Sequence, residues 1–100
     1  MAARFNGARS LAARKNGKII MWYVYIVKCS DSSLYTGVTT DIKRRIDEHN
    51  AGKGASYTRA RAPVSLVHNE THPDQSRALR REAEIKGWPR NKKLSLIKNL

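Results

Sequence analysis

Arg45, His49 and Glu82 are the side chains of this 100-residue chain whose types and spacing could act on a phosphodiester, with Tyr25 and Tyr35 on nearby extended segments. Ile42, Arg45, Ile46 and His49 recur at i, i+3, i+4 and i+7, one face of a helix. The isoleucines must seat that helix, so Arg45 and His49 lie at the edge of its buried stripe. Arginine there can neutralise charge on non-bridging phosphate oxygens. Histidine, or a tyrosine, can help activate water. Each has a structural alternative: an arginine stem covering apolar surface, and a last-turn histidine favoured by the helix dipole. Glu82 is central in a second stripe, Ala78, Leu79, Glu82, Ile85 and Lys86. A carboxylate on a packing face needs compensation. It can pair with Arg45, shift its pKa, or bind a metal. A metal held there would polarise the phosphate and steady the leaving oxygen. The phenols, with a pKa of about 10, are weak bases unless a cation and an arginine stand beside them. Otherwise they are amphipathic core residues.

These side chains need a scaffold, and the pattern supplies one. Trp22 to Lys28 is dense in aromatic and β-branched residues and reads as a strand, with Trp22, Val24 and Ile26 on one face and Tyr23, Tyr25 and Val27 on the other. Cys29 to Ser33 is turn chemistry, and Leu34 to Val38 resumes the strand, closing a hairpin over 22–38. Thr39, Thr40 and Asp41 offer helix caps before a helix from Ile42 to about Ala51, ended by Gly52 and Gly54. Residues 52–62 form a basic, glycine-bearing loop. Pro63 to Asn69 reads as a third strand. Pro73 to Ser76 opens a helix running to about Lys86, Gly87-Trp88-Pro89 breaks it, and a last helix covers 91–99 with Leu94, Ile97 and Leu100 as its apolar side. The order ββαβαα predicts an α+β domain, a three-stranded antiparallel sheet flanked by helices.

The formal charge is +12, and the first twenty residues hold five basic side chains and no acid. Without them 15 basic residues still face 8 acidic ones, so the positive field belongs to the domain and favours polyanions. One cysteine, Cys29, excludes an intrachain disulfide. No apolar run approaches the roughly 20 residues of a membrane helix. Residues 1–20 are expected to be a disordered basic extension, with 21–100 the domain; a start at Met21 and an organelle transit peptide are the alternatives weighed. His68 and His72 have zinc-like spacing, but Pro73 follows and no second ligand pair is present.

The segment from 22 to about 90 resembles the GIY-YIG nuclease domain. Tyr23-Val24-Tyr25 and Tyr35-Thr36-Gly37 correspond to its two strings, Arg45 falls eight residues after Gly37, His49 follows one turn later, and Glu82 lies on the helix after the third strand. HNAGKGASYTRAR resembles the small single-domain bacterial branch and the structure-specific recombination endonucleases. Tyr23 replaces the family glycine and Thr36 the isoleucine, and an asparagine found in some members has no clear equivalent, with Asn91 the candidate.

The resemblance implies one Mg²⁺ or Mn²⁺ ion held by Glu82, and Tyr35 or Tyr25 as general base or its partner. It implies a DNA endonuclease selective for structure rather than sequence, in repair or recombination. Lys53, Tyr57, Arg59 and Arg61 are expected to meet DNA, Tyr57 by stacking, with Lys92 and Lys93 adding phosphate affinity. No targeting segment is expected to follow, so a targeting protein is a candidate partner. No membrane is expected as a partner; a cytoplasmic, nucleoid-associated monomer or weak dimer is. The competing readings are a catalytically silent nucleic-acid-binding or adaptor module, and a basic structural protein.

Overall fold

The computed structural model describes residues 13–15 and 18–97. Its elements are β1 (Ala13–Lys15), β2 (Lys18–Ile20), β3 (Trp22–Lys28), β4 (Leu34–Thr39), α1 (Ile42–Asn50), α2 (Ser56–Arg59), β5 (Ser65–His72), α3 (Gln75–Lys86) and α4 (Arg90–Leu96). The main sheet is antiparallel in the order β4-β3-β5, which is the expected α+β architecture. β1 and β2 pair separately, Ala13 opposite Ile20 and Lys15 opposite Lys18. The expected disordered extension otherwise falls outside the described residues.

Strand β3 is central because both of its faces are apolar. Val24, Ile26 and Val27 are fully buried, and each such side chain contributes about 1.5–3 kcal/mol by leaving water. Val24 and Ile26 pack with Ala78 and Ile85 of α3, and with Trp22, Leu34, Val38, Val67, Trp88, Leu96 and Ile97 around them. On the opposite face Tyr25 and Val27 cluster with Cys29, Val64, Tyr35 and Ile46. The sheet therefore carries α3 and α4 on one side and α1 on the other.

Asp41 caps α1 by accepting from the Arg44 backbone N–H at 3.1 Å, and Asp74 caps α3 from Arg77 at 2.8 Å. Each such cap is worth about 1 kcal/mol. The third strand runs Ser65–His72 rather than starting at Pro63: its added residues, Glu70 to His72, pair with Val24 to Trp22 of β3. The expected loop over 52–62 contains the single turn α2. Two apolar expectations are corrected. Leu79 is 46% exposed and Leu94 41% exposed. The buried line of α3 is Ala78 and Ile85, two turns apart, which rotates Leu79 outward, and α4 packs through Leu96 and Ile97 instead of Leu94. Leu100 lies outside the described residues.

One ion pair locks α3 onto β5. Arg81 grips both Glu70 oxygens, Nε at 2.9 Å and Nη2 at 3.0 Å, and His68 Nε2 lies 2.9 Å from the same carboxylate, with His72 at 3.5 Å. Burial alone would raise the Glu70 pKa, but the Arg81 fork and the His68 contact hold it at about 2. A carboxylate with a depressed folded pKa stabilises above its unfolded value, and that stability is lost as pH falls toward the folded one. Urea unfolding is expected to show the native chain losing about 3 kcal/mol more than Glu70→Gln between about pH 5 and pH 2. Parallel pH profiles for the two proteins would contradict this.

Candidate active site

The site is built on the face of the sheet opposite α3. Tyr25 stands across the β3–β4 ladder from Gly37, so both project to that face. The Tyr25 ring lies directly on Gly37; a β-carbon there would collide with the phenol oxygen and ring. The glycine of the second string is thus required by the tyrosine of the first. From the other side α1 delivers His49, which is fully buried, while Tyr25 is 1% exposed. Tyr25 Oη and His49 Nε2 are 2.8 Å apart, and His49 Nδ1 is 2.7 Å from Thr58 Oγ1 on α2. Gly54 repeats the device: a β-carbon there would strike His49 Nδ1. His49 sits deeper than its spacing at the stripe edge suggests, because α2 closes over it.

Tyr35 packs edge-on to His49, with centroids 5.4 Å apart, and lies 6.4 Å from Tyr25. Tyr57 stacks on Tyr35 at 6.0 Å, and the Arg61 guanidinium sits 4.0 Å from the Tyr57 ring centre. Glu82 reaches the site from α3. Its side chain is 18% exposed and pairs with Lys86 at 3.1 Å, and the Lys86 ammonium lies 5.8 Å from the Tyr35 ring centre. Arg45 pairs with Glu48 at 2.9 Å and stands close enough to Tyr25 for its charge to act on the phenol. The alternative of an Arg45–Glu82 ion pair is therefore not what the fold uses: each has a nearer partner on its own helix.

The electrostatics separate the two ring groups. Burial raises the Tyr25 pKa; Arg45 opposes it, and Tyr35 and Glu82 add to it. Burial, then the Arg45 charge, lowers the His49 pKa. At neutral pH the pair is a phenol beside a neutral imidazole, able to pass a proton between them. Among the described residues no three His, Cys, Asp or Glu side chains converge to cage a metal. A hard cation such as Mg²⁺ needs no such cage; it keeps several waters and takes one or two carboxylates plus substrate phosphate. Glu82, largely buried and facing one ammonium at the edge of this site, fits that requirement.

All five residues singled out in the sequence, Tyr25, Tyr35, Arg45, His49 and Glu82, thus converge. Thr58, Lys86 and Gly54 join them and were not anticipated. For Gly54 and Thr58 the GKGASYTRAR stretch speaks for a helix stop, a basic loop and the family resemblance, and carries no signal of a contact with His49. The expected DNA-contact residues divide. Lys53 and Arg59 are exposed and, among the described residues, have no ion-pair partner. Arg61 is tied to Asp31 at 3.1 Å and to the Tyr57 carbonyl at 2.8 Å, bracing the β3–β4 turn against α2. Lys92 is exposed and lies 4.4 Å from the Trp88 ring centre, and Lys93 is half-buried on the same helix.

A tyrosine-bearing hairpin, a helix delivering arginine and histidine, and a second helix delivering one acid define a nuclease-type domain. The chain belongs to the GIY-YIG family: residues 21–95 match the model of the GIY-YIG catalytic domain. It is 64% identical over 74 residues to a UPF0213 protein of Haloquadratum walsbyi, covering 74% of this chain and 83% of that one. It is 57% identical over 76 residues to a UPF0213 protein of Staphylococcus aureus, covering 76% and 93%. Among solved structures it resembles the UPF0213 protein BH0048 from Bacillus halodurans, with TM-score 0.52 and 48% identity over 79% of this chain and 84% of that one. It also resembles the protein EF2693 from E. faecalis, with TM-score 0.55 and 36% identity over 89% and 90%. The family implies nucleic-acid binding, and its nucleases generally use divalent metals.

The fit of Tyr25 over Gly37 can be tested by stability. Gly37→Ala is expected to cost about 1–3 kcal/mol in urea unfolding, the range for overpacking a filled site. A loss below about 0.5 kcal/mol, the size of an ordinary surface change, would show that the ring can move aside.

Proposed function

We propose that this chain is a divalent-metal-dependent DNA endonuclease, selective for structure rather than sequence and acting in repair or recombination. The observation that carries the reading is the buried Tyr25–His49 contact of 2.8 Å with Arg45 and Glu82 beside it. A basic protein with only a structural role has no need for a buried, proton-sharing phenol–imidazole pair next to an arginine and a carboxylate. A silent adaptor would have no use for keeping all of them together.

Tyr25 is the better placed general base, because it alone of the two tyrosines is hydrogen-bonded to His49. Its proton passes to His49 Nε2, leaving a phenolate stabilised by Arg45. The phenolate takes a proton from water as the water oxygen attacks phosphorus. The P–O bond opposite breaks, the leaving oxygen collects a proton from solvent, and His49 releases the proton it took, restoring the neutral pair. Arg45 neutralises charge on the non-bridging oxygens. Glu82 is the residue that would hold a divalent ion, which would supply positive charge at the phosphate. Tyr35 walls the site and packs His49 in place.

Substrate contact falls first to Lys53 and Arg59, which project from the loop around α2. Tyr57 offers an aromatic surface there for an unpaired base, with Arg61 holding the ring. Lys92 and Lys93 add phosphate affinity at longer range, which salt screens. Among the described residues there is no separate base-reading module, which favours flapped, branched or single-stranded DNA over a sequence. The protein is proposed to act in the cytoplasm at the nucleoid, as a monomer or weak dimer, with the N-terminal basic segment of residues 1–20 appended to a domain at 21–100 and a targeting protein as a further partner.

The test is cleavage of flapped, branched and linear DNA by the native chain and by Glu82→Ala, with Mg²⁺, Mn²⁺ or EDTA. Cleavage is expected only with metal and is lost in Glu82→Ala by at least about 100-fold, the scale of a lost charge-stabilising group, with DNA affinity retained. Binding without cleavage by both proteins on every substrate would replace the nuclease with the adaptor.

A further inference from the structure

Proton positions around His49 follow from which groups can only donate or only accept. The Ala55 carbonyl can only accept, and Thr58 Oγ1 lies 3.0 Å from it as donor. A hydroxyl carries one proton. With that proton on Ala55, Thr58 Oγ1 meets His49 Nδ1 at 2.7 Å as an acceptor, so Nδ1 must bear hydrogen. A neutral imidazole has one N–H, which leaves Nε2 with a lone pair facing Tyr25 Oη at 2.8 Å. The opposite assignment would turn Thr58 Oγ1 and the Ala55 oxygen toward each other with no proton between them. It would also make the phenol an acceptor toward both His49 and Arg45, which can only donate. The chain of donors therefore runs one way, from Tyr25 through His49 and Thr58 to the Ala55 carbonyl. Thr58 is fully buried, so water does not compete for its hydroxyl.

We propose that Thr58 is a positioning residue for the reaction: its hydroxyl fixes His49 as the Nδ1–H tautomer, leaving Nε2 as the acceptor for the Tyr25 proton. This rests on the reading of Tyr25 and His49 as the proton-moving pair. Helix α2, one turn long, then has a definite task. It carries the hydroxyl and the carbonyl that orient the imidazole, while Gly54 leaves room for the ring. The partner on the far side of a histidine sets its tautomer in the same way at metal sites, where its loss costs about 10–100-fold.

Two measurements test it. In ¹H–¹⁵N long-range spectra of the labelled native chain at neutral pH, His49 is expected to be the Nδ1–H tautomer. In Thr58→Val, which keeps the shape and removes the hydroxyl, that signature shifts toward Nε2–H. On branched DNA with Mn²⁺, kcat for Thr58→Val falls about 10–100-fold with KM unchanged, and Thr58→Ser recovers most of it. An Nε2–H tautomer in the native chain overturns the proposal whether or not DNA is cut. So does unchanged kcat in Thr58→Val, or equal loss in Thr58→Ser. Should Thr58→Val not fold, the native tautomer and Thr58→Ser still decide. An Nδ1–H tautomer in a native chain that cuts no DNA would sustain the hold of Thr58 on His49 and overturn the nuclease reading instead.

Discussion

The hydrogen bond between the buried side chains of Tyr25 and His49, 2.8 Å long, is the contact around which the rest of the molecule is arranged. A phenol and an imidazole buried together are costly unless each polar atom has a partner. That requirement explains features that otherwise look unrelated. Gly37 is bare because the phenol ring occupies the place of its side chain, and Gly54 is bare because the imidazole does. Helix α2 exists to satisfy the remaining ring nitrogen through Thr58. Tyr35 closes the third side by packing edge-on to His49.

The scaffold supplies orientation through its central strand. Because β3 is apolar on both faces, helices can cover it from both sides, and the two sets of site residues arrive from opposite layers. Helix α1 brings Arg45 and His49 onto the tyrosine face. Helix α3 packs on the other face through Ala78 and Ile85, yet its long side chains reach the β4 side, where Lys86 extends over Tyr35 and pairs with Glu82. The rotation of α3 about its own axis decides whether Glu82 faces the site. Arg81, the neighbouring residue, fixes that rotation by gripping Glu70 on β5. A structural ion pair at one edge of the sheet thereby holds a carboxylate in place at the other.

Much of this was legible in the sequence for physical reasons. A strand rich in aromatic and β-branched residues, repeated after a turn, can be little other than a hairpin. An i, i+3, i+4, i+7 repeat of Ile42, Arg45, Ile46 and His49 puts two polar groups beside two apolar ones on any helix. Glu82 stood out because an acid in a packing stripe demands a partner. What stayed hidden depended on contacts between residues far apart in sequence or on local rotation. Thr58 meets His49 only once α2 folds back over α1, and a threonine in a basic loop carries no such signal. Glu70 and Arg81 lie on different elements, so no helical or strand periodicity joins them. Leu79 and Leu94 obey the apolar pattern yet stay exposed, because the buried line on each helix is narrower than the pattern allows. The contact of Tyr25, and not Tyr35, with Nε2 of His49 was equally closed to sequence, because the two tyrosines do not differ in type.

The central claim is that Tyr25, through His49, is the base of a phosphodiesterase site. Single-turnover cleavage of a branched DNA by Tyr25→Phe and Tyr35→Phe, with Mn²⁺ and with DNA affinity measured in parallel, tests it most directly. Tyr25→Phe is expected to lose about 100-fold or more in rate at unchanged affinity, the scale of a lost general base, and Tyr35→Phe to lose less. A Tyr25→Phe variant that cuts at the native rate, or a larger loss in Tyr35→Phe, would contradict it.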